Sequence, residues 1–350
     1  MDLTQKKVDW YRSPVSRDQL QSLNARSDFK GWLQTGGFLG LITLTGAAAI
    51  YSAGRWPWPV VLLLFFIHGT CYRYLLYGFH ELVHNSVFKT KALNGFFLRL
   101  FAFLIGYNHH GFWASHTEHH KYTLHPDDDL EAAFQLTPGK LNRTRYFLRY
   151  FIDPVGLCVM FYATVTTAFG KPHGDWNRRL FAAADPKEKR RWVNWARILL
   201  VGHGSIIAVS VAMHWWFLPV ATTLAPFYGG WLCYLTNNLQ HAGLQDNVSD
   251  FRLCVRTVTL NPILEFLCWH MNYHTEHHMY AAVPCYNLPK LHEIVKSDLP
   301  PCPRGLFQAW TQMAVIVRRQ KLDPTYHYVP DLPSPSRYST TAPSTYSAAD

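Results

Sequence analysis

Charged residues are scarce in this chain: Asp, Glu, Lys and Arg make up 16% of its 350 residues, whereas ordinary soluble proteins contain about 25%. Tryptophan is frequent, with 13 residues, and it is enriched where membrane proteins meet the lipid–water interface. The shortage of charge therefore favours a membrane protein over a soluble one. A mean hydropathy near zero indicates that much of the chain nevertheless lies outside the bilayer.

The cysteines form no recognisable pairs, and residues 1–30 lack the features of a cleavable leader. The seven cysteines are scattered and form no CxxC pair, which argues against a disulfide framework or a thiolate metal site and favours reduced packing residues. Residues 1–30 are polar and contain no short apolar stretch before a small-residue cleavage site. We therefore expect no signal peptide, and the first membrane helix would act as its own signal.

Long apolar runs are present, in two pairs. Each run is about long enough to cross ~30 Å of hydrocarbon as a helix, and the turns within the pairs are short. The pairs predict an all-α integral membrane protein with four transmembrane helices arranged as two hairpins. The expected spans are residues 33–53, 59–79, 198–215 and 218–235.

The rest of the chain divides around these spans. Residues 1–32 are expected to form a cytoplasmic N-terminal segment, and residues 33–320 the membrane domain. Residues 96–107 are too short to span a bilayer and are expected to form a re-entrant or interfacial helix. Residues 150–169 are interrupted by proline and glycine and are expected to form an interfacial helix. Residues 321–350 are rich in Pro, Ser, Thr and Tyr, and this composition predicts a disordered tail.

Basic residues orient the predicted spans. They are concentrated before the first and the third span, whereas the opposite turns contain only Arg55, so the positive-inside rule places the basic segments in the cytoplasm. The net charge of +10 is then explained by topology and by contact with anionic lipids, and no basic–aromatic stripe supports nucleic-acid binding. On this topology the glycosylation acceptors Asn142 and Asn247 should stay unmodified. The basic residues are Lys6, Lys7, Arg12, Arg17, Arg26 and Lys30 before the first span, and Lys171, Arg178, Arg179, Lys187, Lys189, Arg190 and Arg191 before the third.

Histidine is concentrated in three clusters: HELVH at 80–84, HTEHH at 116–120 and HTEHH at 274–278, with His241 and His270 nearby. If the first two clusters are helical, the spacings of three and four residues put their histidines on one face. Neutral imidazole binds iron, copper and zinc, and eight imidazoles exceed what one tetrahedral zinc can use. A single histidine on an apolar face is usually a satisfied core residue, but such residues would not recur with this spacing. The pattern therefore predicts two metal ions close together.

Two other functions fit part of this pattern. HELVH matches the H-E-x-x-H helix of zinc metalloproteases, in which Glu81 would be the general base, but that interpretation leaves the other two clusters unexplained. A metal transporter or storage protein should carry its histidines within the spans, and the clusters lie outside them.

The family resemblance accounts for all three clusters together. HELVH, SHTEHHKYTLHPDDDLE and HMNYHTEHHMY resemble the HxxxH, HxxHH and HxxHH boxes of the membrane fatty acid desaturase and hydroxylase superfamily, over roughly residues 30–310. The resemblance implies a non-haem di-iron centre in a cytoplasmic cap beneath a four-helix membrane stem. The segment from Asn237 to His241 matches the NxxxH form of the family, which implies His241 as a ligand and Asn237 as a water-mediated one. The box histidines implied as ligands are His80, His84, His116, His119, His120, His274, His277 and His278.

Other residues near the boxes are candidates for supporting roles. His270 stands four residues before His274, on the same helical face if the segment is helical, and would be a ligand or a hydrogen-bond donor behind one. Glu81, Glu118 and Glu276 recur inside the boxes and are expected to orient ligand histidines. The acidic run 127–129 could do the same, although charge runs are usually solvated.

Details of the boxes narrow the expected subtype. The first box has three intervening residues, the third begins with His and not Gln, and no HPGG haem-binding segment occurs. Among members of the superfamily, this is most similar to acyl-lipid desaturases and their hydroxylase and acetylenase relatives.

The resemblance also implies a reaction and its partners. It implies an O2-dependent oxidoreductase with two iron ions that introduces a C=C bond into the acyl chain of a lipid. Electrons would come from an external donor, cytochrome b5 or a ferredoxin with its reductase. The alternative is a hydroxylase, ketolase or acetylenase acting on another lipophilic metabolite. The enzyme would be a multi-pass protein of the endoplasmic reticulum in a eukaryote, or of the inner membrane in a bacterium.

Overall fold

The computed structural model describes residues 7–132 and 148–333. This part of the chain is mostly helical and contains isolated β-bridges but no strand, which confirms the predicted all-α class. In chain order the helices are α1 (Arg17–Leu23), α2 (Asp28–Ser52), α3 (Trp58–Arg73), α4 (Leu75–Val83), α5 (Lys91–Leu104), α6 (His109–Tyr122), α7 (Pro154–Ala168), α8 (Asp175–Ala183), α9 (Pro186–Ala212), α10 (Phe217–Ala221), α11 (Trp231–Asn237), α12 (Phe251–Cys254), α13 (Pro262–Leu267), α14 (His274–Met279), α15 (Leu288–Val295) and α16 (Gly305–Leu322), with 3-10 turns at Ala225–Phe227 and Cys285–Asn287.

Three stretches within the described residues are long and apolar enough to cross a membrane: Asp28–Ser52, Trp58–Val83 and Pro186–Ala212. The second consists of α3 and α4, which meet at Tyr74 with little break. Large apolar side chains such as Leu44 and Leu62 are more than half exposed on these helices, as expected where lipid is the solvent. The first three predicted spans are therefore confirmed as helices of membrane-spanning length and composition.

The fourth predicted span, residues 218–235, is not one continuous helix. It consists of α10, the 3-10 turn Ala225–Phe227 and α11. Pro226 lacks the backbone N–H that a continuing helix needs, and Gly229 has a φ of +67°, which a helix cannot accommodate. A span was predicted there because the average apolar composition of a segment does not show where its helix is interrupted.

The interrupted segment nevertheless runs along the length of α3 and α4. Phe217, at its start, packs against Trp58 and Phe65 with ring centroids 6.3 and 5.7 Å apart. Near its end, the Thr236 hydroxyl accepts a hydrogen bond from Tyr77, 3.0 Å away. The segment therefore extends from the Trp58 end of α3 to the end of α4 that carries the first histidine box.

Backbone groups of a neighbouring segment provide hydrogen-bond partners for the interrupted segment. Gly229 N donates to Phe151 O at 2.8 Å, and Asp153 N donates to Phe227 O at 2.7 Å. In a bilayer, irregular backbone is tolerated only where protein supplies such partners. The segment before α7 therefore stabilises the interruption.

The two predicted interfacial stretches are helical. Residues 96–107 overlap α5, which packs on α4, and residues 150–169 overlap α7, which packs along α9. The Asp153 side chain accepts a hydrogen bond from Gly156 N at 2.7 Å, so it caps the start of α7 just before Pro154. The position of α5 and α7 at a membrane surface stays a prediction.

The N-terminal segment packs against the histidine boxes. Trp10 stacks on Phe251 with centroids 4.1 Å apart and donates to Lys121 O at 2.8 Å. Arg12 donates to Met279 O at 2.8 Å, at the end of α14. This segment thus lies behind the second and third boxes; residues 1–6 lie outside the described residues.

The disorder prediction for the tail is wrong for residues 321–333. Tyr328 N donates to Gly243 O at 2.8 Å, and His327 Nδ1 lies 2.9 Å from Leu244 O. These contacts fix the tail against the loop that follows His241, because its aromatic side chains find a packing partner that composition does not reveal. Residues 334–350, like Asn142, lie outside the described residues.

Candidate metal centre

The three boxes lie at helix ends that meet. His80 is in the last turn of α4 and His84 follows that helix directly. The second box is on α6, whose start is fixed by the Asn108 side chain, which accepts from Gly111 N at 3.3 Å; the predicted common face is confirmed here. The third box forms the short helix α14, and His241 follows α11.

Together these elements gather the nine predicted ligand histidines into two groups, within each of which one nitrogen per ring lies within 4.8 Å of the others. The groups adjoin, since His120 of one stacks on His278 of the other at 4.3 Å between centroids. The first group, cluster A, is His80, His84, His116, His120 and His277, and the second, cluster B, is His119, His241, His274 and His278.

The ring nitrogens in each cluster point at one another. In cluster A, His116 Nε2 lies 3.1 Å from His84 Nε2 and 3.0 Å from His120 Nε2. In cluster B, His274 Nε2 lies 3.0 Å from His241 Nε2 and 3.2 Å from His278 Nε2. Several lone pairs directed at one point form a cation site, and an all-imidazole donor set suits a transition metal.

Unpaired buried nitrogens support the same interpretation. His277 is fully buried, and neither of its ring nitrogens has a hydrogen-bond partner among the described residues. A buried polar atom without a partner costs free energy, so two in one ring indicate that a ligand completes the site. The residues present therefore fit a metal ion in each cluster.

The other nitrogen of four box-region histidines is held by an outer partner. When Nδ1 donates a hydrogen bond, Nε2 carries the lone pair and can bind metal. The Nδ1 partners are Glu131 Oε1 for His116 at 2.8 Å, Asp129 Oδ2 for His119 at 2.8 Å, Cys254 O for His241 at 3.1 Å and Thr123 Oγ1 for His278 at 3.1 Å.

Asp129 belongs to the acidic run 127–129 that the sequence offered as a possible support for the histidines, whereas Glu131 was not predicted. Asp129 is 1% exposed and also accepts from Leu124 N at 3.0 Å. Glu131 binds Ser115 as well as His116. The available signal was the acidic stretch soon after the second box, but a charge run is usually solvated, and Asp127 in the same run is indeed exposed.

The three box glutamates have three different environments. Glu81 is fully buried, and its Oε1 lies 3.5 Å from His80 Nδ1 and 3.6 Å from His277 Nδ1. Its carboxylate therefore lies between a histidine of its own box and a histidine of the third box. Glu276 is hydrogen-bonded to Thr257 and His292 and thereby anchors α14 rather than a ligand ring. The expected orienting role is wrong for Glu118, which pairs with Lys121 at 2.9 Å on the outside of α6.

His270 is not brought into either cluster. It has a φ of +57° in the turn before α14, so it cannot share a helical face with His274, where that helix begins. Asn237 is the last residue of α11 and lines the same cavity as His241; its role as a water-mediated ligand stays a prediction.

Burial keeps most of these imidazoles neutral. Desolvation, together with the neighbouring histidines, lowers the pKa of His116, His274 and His277 well below the usual range, and His120 and His278 behave alike. Neutral rings keep the lone pair that a metal needs. His119 is the exception: burial lowers its pKa, but Asp129 and Glu131 together raise it, and the net shift of the pKa is upward.

A cavity of about 560 Å³ opens beside both clusters. His80 and His116 of cluster A line it, as do His241 and His274 of cluster B. Apolar side chains of α4, α7 and α9 form another part of its wall. This apolar wall includes Leu76, Val159, Met160, Ala163 and Leu199.

Comparison with known proteins agrees with this site. A model of the fatty acid desaturase family matches residues 56–310, a stretch that contains all nine histidines of the two clusters. A similar protein is the sn-1 oleoyl-lipid 12-desaturase of a Picosynechococcus species, which is 22% identical over 313 residues that cover 86% of each chain.

Proposed function

Because this chain belongs to the fatty acid desaturase family, we propose that the desaturase-type oxidoreductase it forms is a membrane di-iron enzyme that introduces a C=C bond into the acyl chain of a lipid. One observation carries this proposal: two adjoining all-histidine clusters open onto one largely apolar cavity. A 12-desaturase of oleoyl-lipids is among the similar proteins, which supports an acyl lipid as the substrate class.

The nine clustered histidines would hold the two iron ions, one in cluster A and one in cluster B, with Asn237 reaching the second through water. Bound iron, with O2 and electrons from cytochrome b5 or a ferredoxin with its reductase, would supply the oxidising power that removes hydrogen from an unactivated C–H bond. The chain's own residues supply position: Asp129 and Glu131 hold His119 and His116 with Nε2 directed inward.

The cavity decides which product forms. Its apolar wall would exclude water and present an acyl carbon to both clusters. Loss of a second, adjacent hydrogen gives an alkene, whereas return of oxygen to the first carbon gives an alcohol. A hydroxylase, ketolase or acetylenase would use the same site, and a small change in how the chain lies along α7 and α9 would separate them.

We also propose four membrane crossings with the boxes on the cytoplasmic side. The α9 helix starts beside the second box, where Trp192 O accepts from Asn108 at 2.8 Å. If α9 crosses the bilayer, the chain must return before His241, which lies in cluster B. The interrupted segment from α10 to α11 would be that return, and the basic residues before α2 and α9 favour the cytoplasm.

Metal content and turnover of matched variants test the proposed enzyme. Purified protein should contain two irons per chain, and mass spectrometry should find an unsaturated lipid when an electron donor is supplied. His277→Ala and His119→Ala each remove one imidazole from a different cluster, so each should lower iron toward one per chain and eliminate turnover.

Glu81→Gln separates this proposal from the zinc protease. An amide can still accept a hydrogen bond from a neighbouring imidazole, so the variant should keep iron and part of the turnover. One zinc with negligible iron, or near-normal turnover in either histidine variant, would refute the di-iron enzyme. Loss of all activity in Glu81→Gln with unaffected histidine variants would support the protease.

A further inference from the structure

The apolar run from Pro59 to Phe79 contains a single charged residue, Arg73. It is the last residue of α3, lies within the stretch long enough to cross the membrane, and lines the cavity together with Leu76 and His80. An ionisable side chain inside a membrane segment is costly and is usually functional. The metal chemistry proposed above does not use it.

The direct contacts of Arg73 are with uncharged groups, including the Tyr234 ring, whose centroid lies 5.1 Å from its Cζ. Its Nη1 donates to Pro226 O at 3.0 Å and its Nη2 to the Tyr234 hydroxyl at 3.2 Å, while its Nε has no partner among the described residues. Neither acceptor is charged, and within that part of the chain Arg73 forms no ion pair. By contrast, Arg149 in the same cavity pairs with Asp153 through two hydrogen bonds of 2.9 and 3.0 Å.

Support of the broken segment does not account for a full positive charge. The Pro226 carbonyl needs one donor, which a neutral amide would provide at lower desolvation cost. A guanidinium in this position is better suited to binding an oxygen acceptor of a ligand, because hydrogen bonds from charged donors are stronger than those from neutral donors. Apolar side chains of α7 and α9 thus line the cavity, and Arg73 is a charged donor on its α3 side that, unlike Arg149, forms no ion pair among the described residues.

We propose that Arg73 anchors the polar end of the substrate, so that the carboxylate or ester carbonyl of the acyl lipid enters the cavity instead of remaining at the membrane surface. This inference rests on the proposed function, because it assumes that the cavity holds an acyl chain. Arg73 precedes His80 by seven residues of nearly continuous helix, about 10 Å along the axis. The oxidised carbon would thus lie a short stretch of chain away from the anchored oxygen.

Binding of matched brominated lipids tests this role without turnover. Dibromostearate, its methyl ester and a dibromoalkane of equal length quench tryptophan fluorescence, and Trp192 lines the cavity. At equal mole fraction in detergent, wild-type protein should bind the acid or the ester roughly 10- to 100-fold more tightly than the alkane. Acid binding tighter than ester binding would identify the carboxylate, and equal binding would identify the carbonyl.

Arg73→Gln removes the charge but keeps an amide that can donate to Pro226 O. It should bind all three lipids with the weak affinity of the alkane, while iron per chain stays at the wild-type level. Arg73→Lys keeps a positive charge and should retain part of the preference. Arg197→Met is the matched control, because Arg197 also lies on an apolar helix and donates to a carbonyl, Ala168 O at 3.1 Å, but does not line the cavity.

Several results would overturn the anchoring role. They are equal binding of acid, ester and alkane by wild-type protein, an undiminished preference in Arg73→Gln, and loss of the preference in Arg73→Lys with normal iron content. Normal iron content with no preference would refute the role of Arg73 alone, whereas absence of iron from wild-type protein would refute the di-iron enzyme itself.

Discussion

At the scale of single residues, the acidic run 127–129 contains aspartates in two different environments. Asp127 is exposed, whereas Asp129 is buried and binds both His119 Nδ1 and the backbone N–H of Leu124. Leu124 has a φ of +56°, so the chain reverses there and brings the third aspartate back onto α6. The first aspartate of the run does not share this contact.

We predict that Asp129→Ala lowers iron affinity about 10- to 100-fold, because loss of the outer partner of a ligand histidine usually has that effect. Asp127→Ala removes the same charge from the solvated position and should leave the affinity unchanged. The measurement is iron retained per chain after dialysis against graded concentrations of a chelator. Equal retention curves for the two variants would show that Asp129 does not orient His119.

The ligand histidines could be predicted from the sequence, but of the outer partners found in the structure only Asp129, within the acidic run 127–129, was a candidate. Box spacing fixes which residues share a helical face, and family resemblance orders the boxes, so all nine histidines were candidates before the structure. Asp129 reaches His119 only through the reversal at Leu124, and Cys254 reaches His241 through a backbone carbonyl that any residue would provide. Such contacts depend on tertiary structure, and the sequence does not show which residue of an acidic run makes one.

At the scale of helices, α4 approaches its neighbours through a glycine. A Cβ added at Gly78 would lie 2.5 Å from Phe101 Cε2 and 2.6 Å from Trp269 Cζ2. Both rings are fully buried and cannot move aside without repacking. Gly78 precedes His80 by two residues, so this close packing sets the position of the first box relative to the third.

We predict that Gly78→Ala destabilises the protein by about 1–3 kcal/mol through overpacking, although alanine alone favours a helix by about 1 kcal/mol. The same change at Gly40, inside α2, meets nothing within 4 Å and should be neutral or stabilising. Thermal unfolding of the two variants in one detergent, with iron content measured in parallel, distinguishes them. A Gly78→Ala protein as stable as the Gly40→Ala protein would show that Phe101 and Trp269 can repack around the added methyl group at little cost.

Helix ends explain where the sequence predictions failed. The apolar composition of residues 218–235 predicted a span, yet α10 ends at Ala221 and α11 begins only at Trp231. Pro226 and Gly229, which lie between them, are incompatible with a continuous helix, and the backbone of Phe151 and Asp153 supplies hydrogen-bond partners there. In the same way, His270 would share a face with His274 only if one helix contained both, and the structure has a left-handed turn there.

At the scale of the whole molecule, both ends of the described chain support the metal centre. The segment around Trp10 packs behind the second and third boxes, and Tyr328 is bound to the loop after His241. The sequence predicted a cytoplasmic N-terminal segment and a disordered tail, and it did not reveal these contacts because the residues that make them are far apart in sequence. Segments at both ends of the described chain therefore pack around the histidine boxes, in addition to the predicted spans.

The interrupted segment makes a prediction about topology. If α9 crosses the membrane and the chain returns through α10 and α11, the turn at residues 213–216 faces the side opposite the boxes, as does the turn at residues 54–57. A flexible Gly/Ser extension carrying an Asn-Xaa-Ser acceptor, placed in either turn, should therefore be glycosylated in a eukaryotic host. An identical extension after residue 350, and the exposed native acceptor Asn247, should remain unmodified. A glycan on the first turn but not on the 213–216 turn would mean that α9 does not cross, and a glycan at Asn247 would place the boxes outside the cytoplasm.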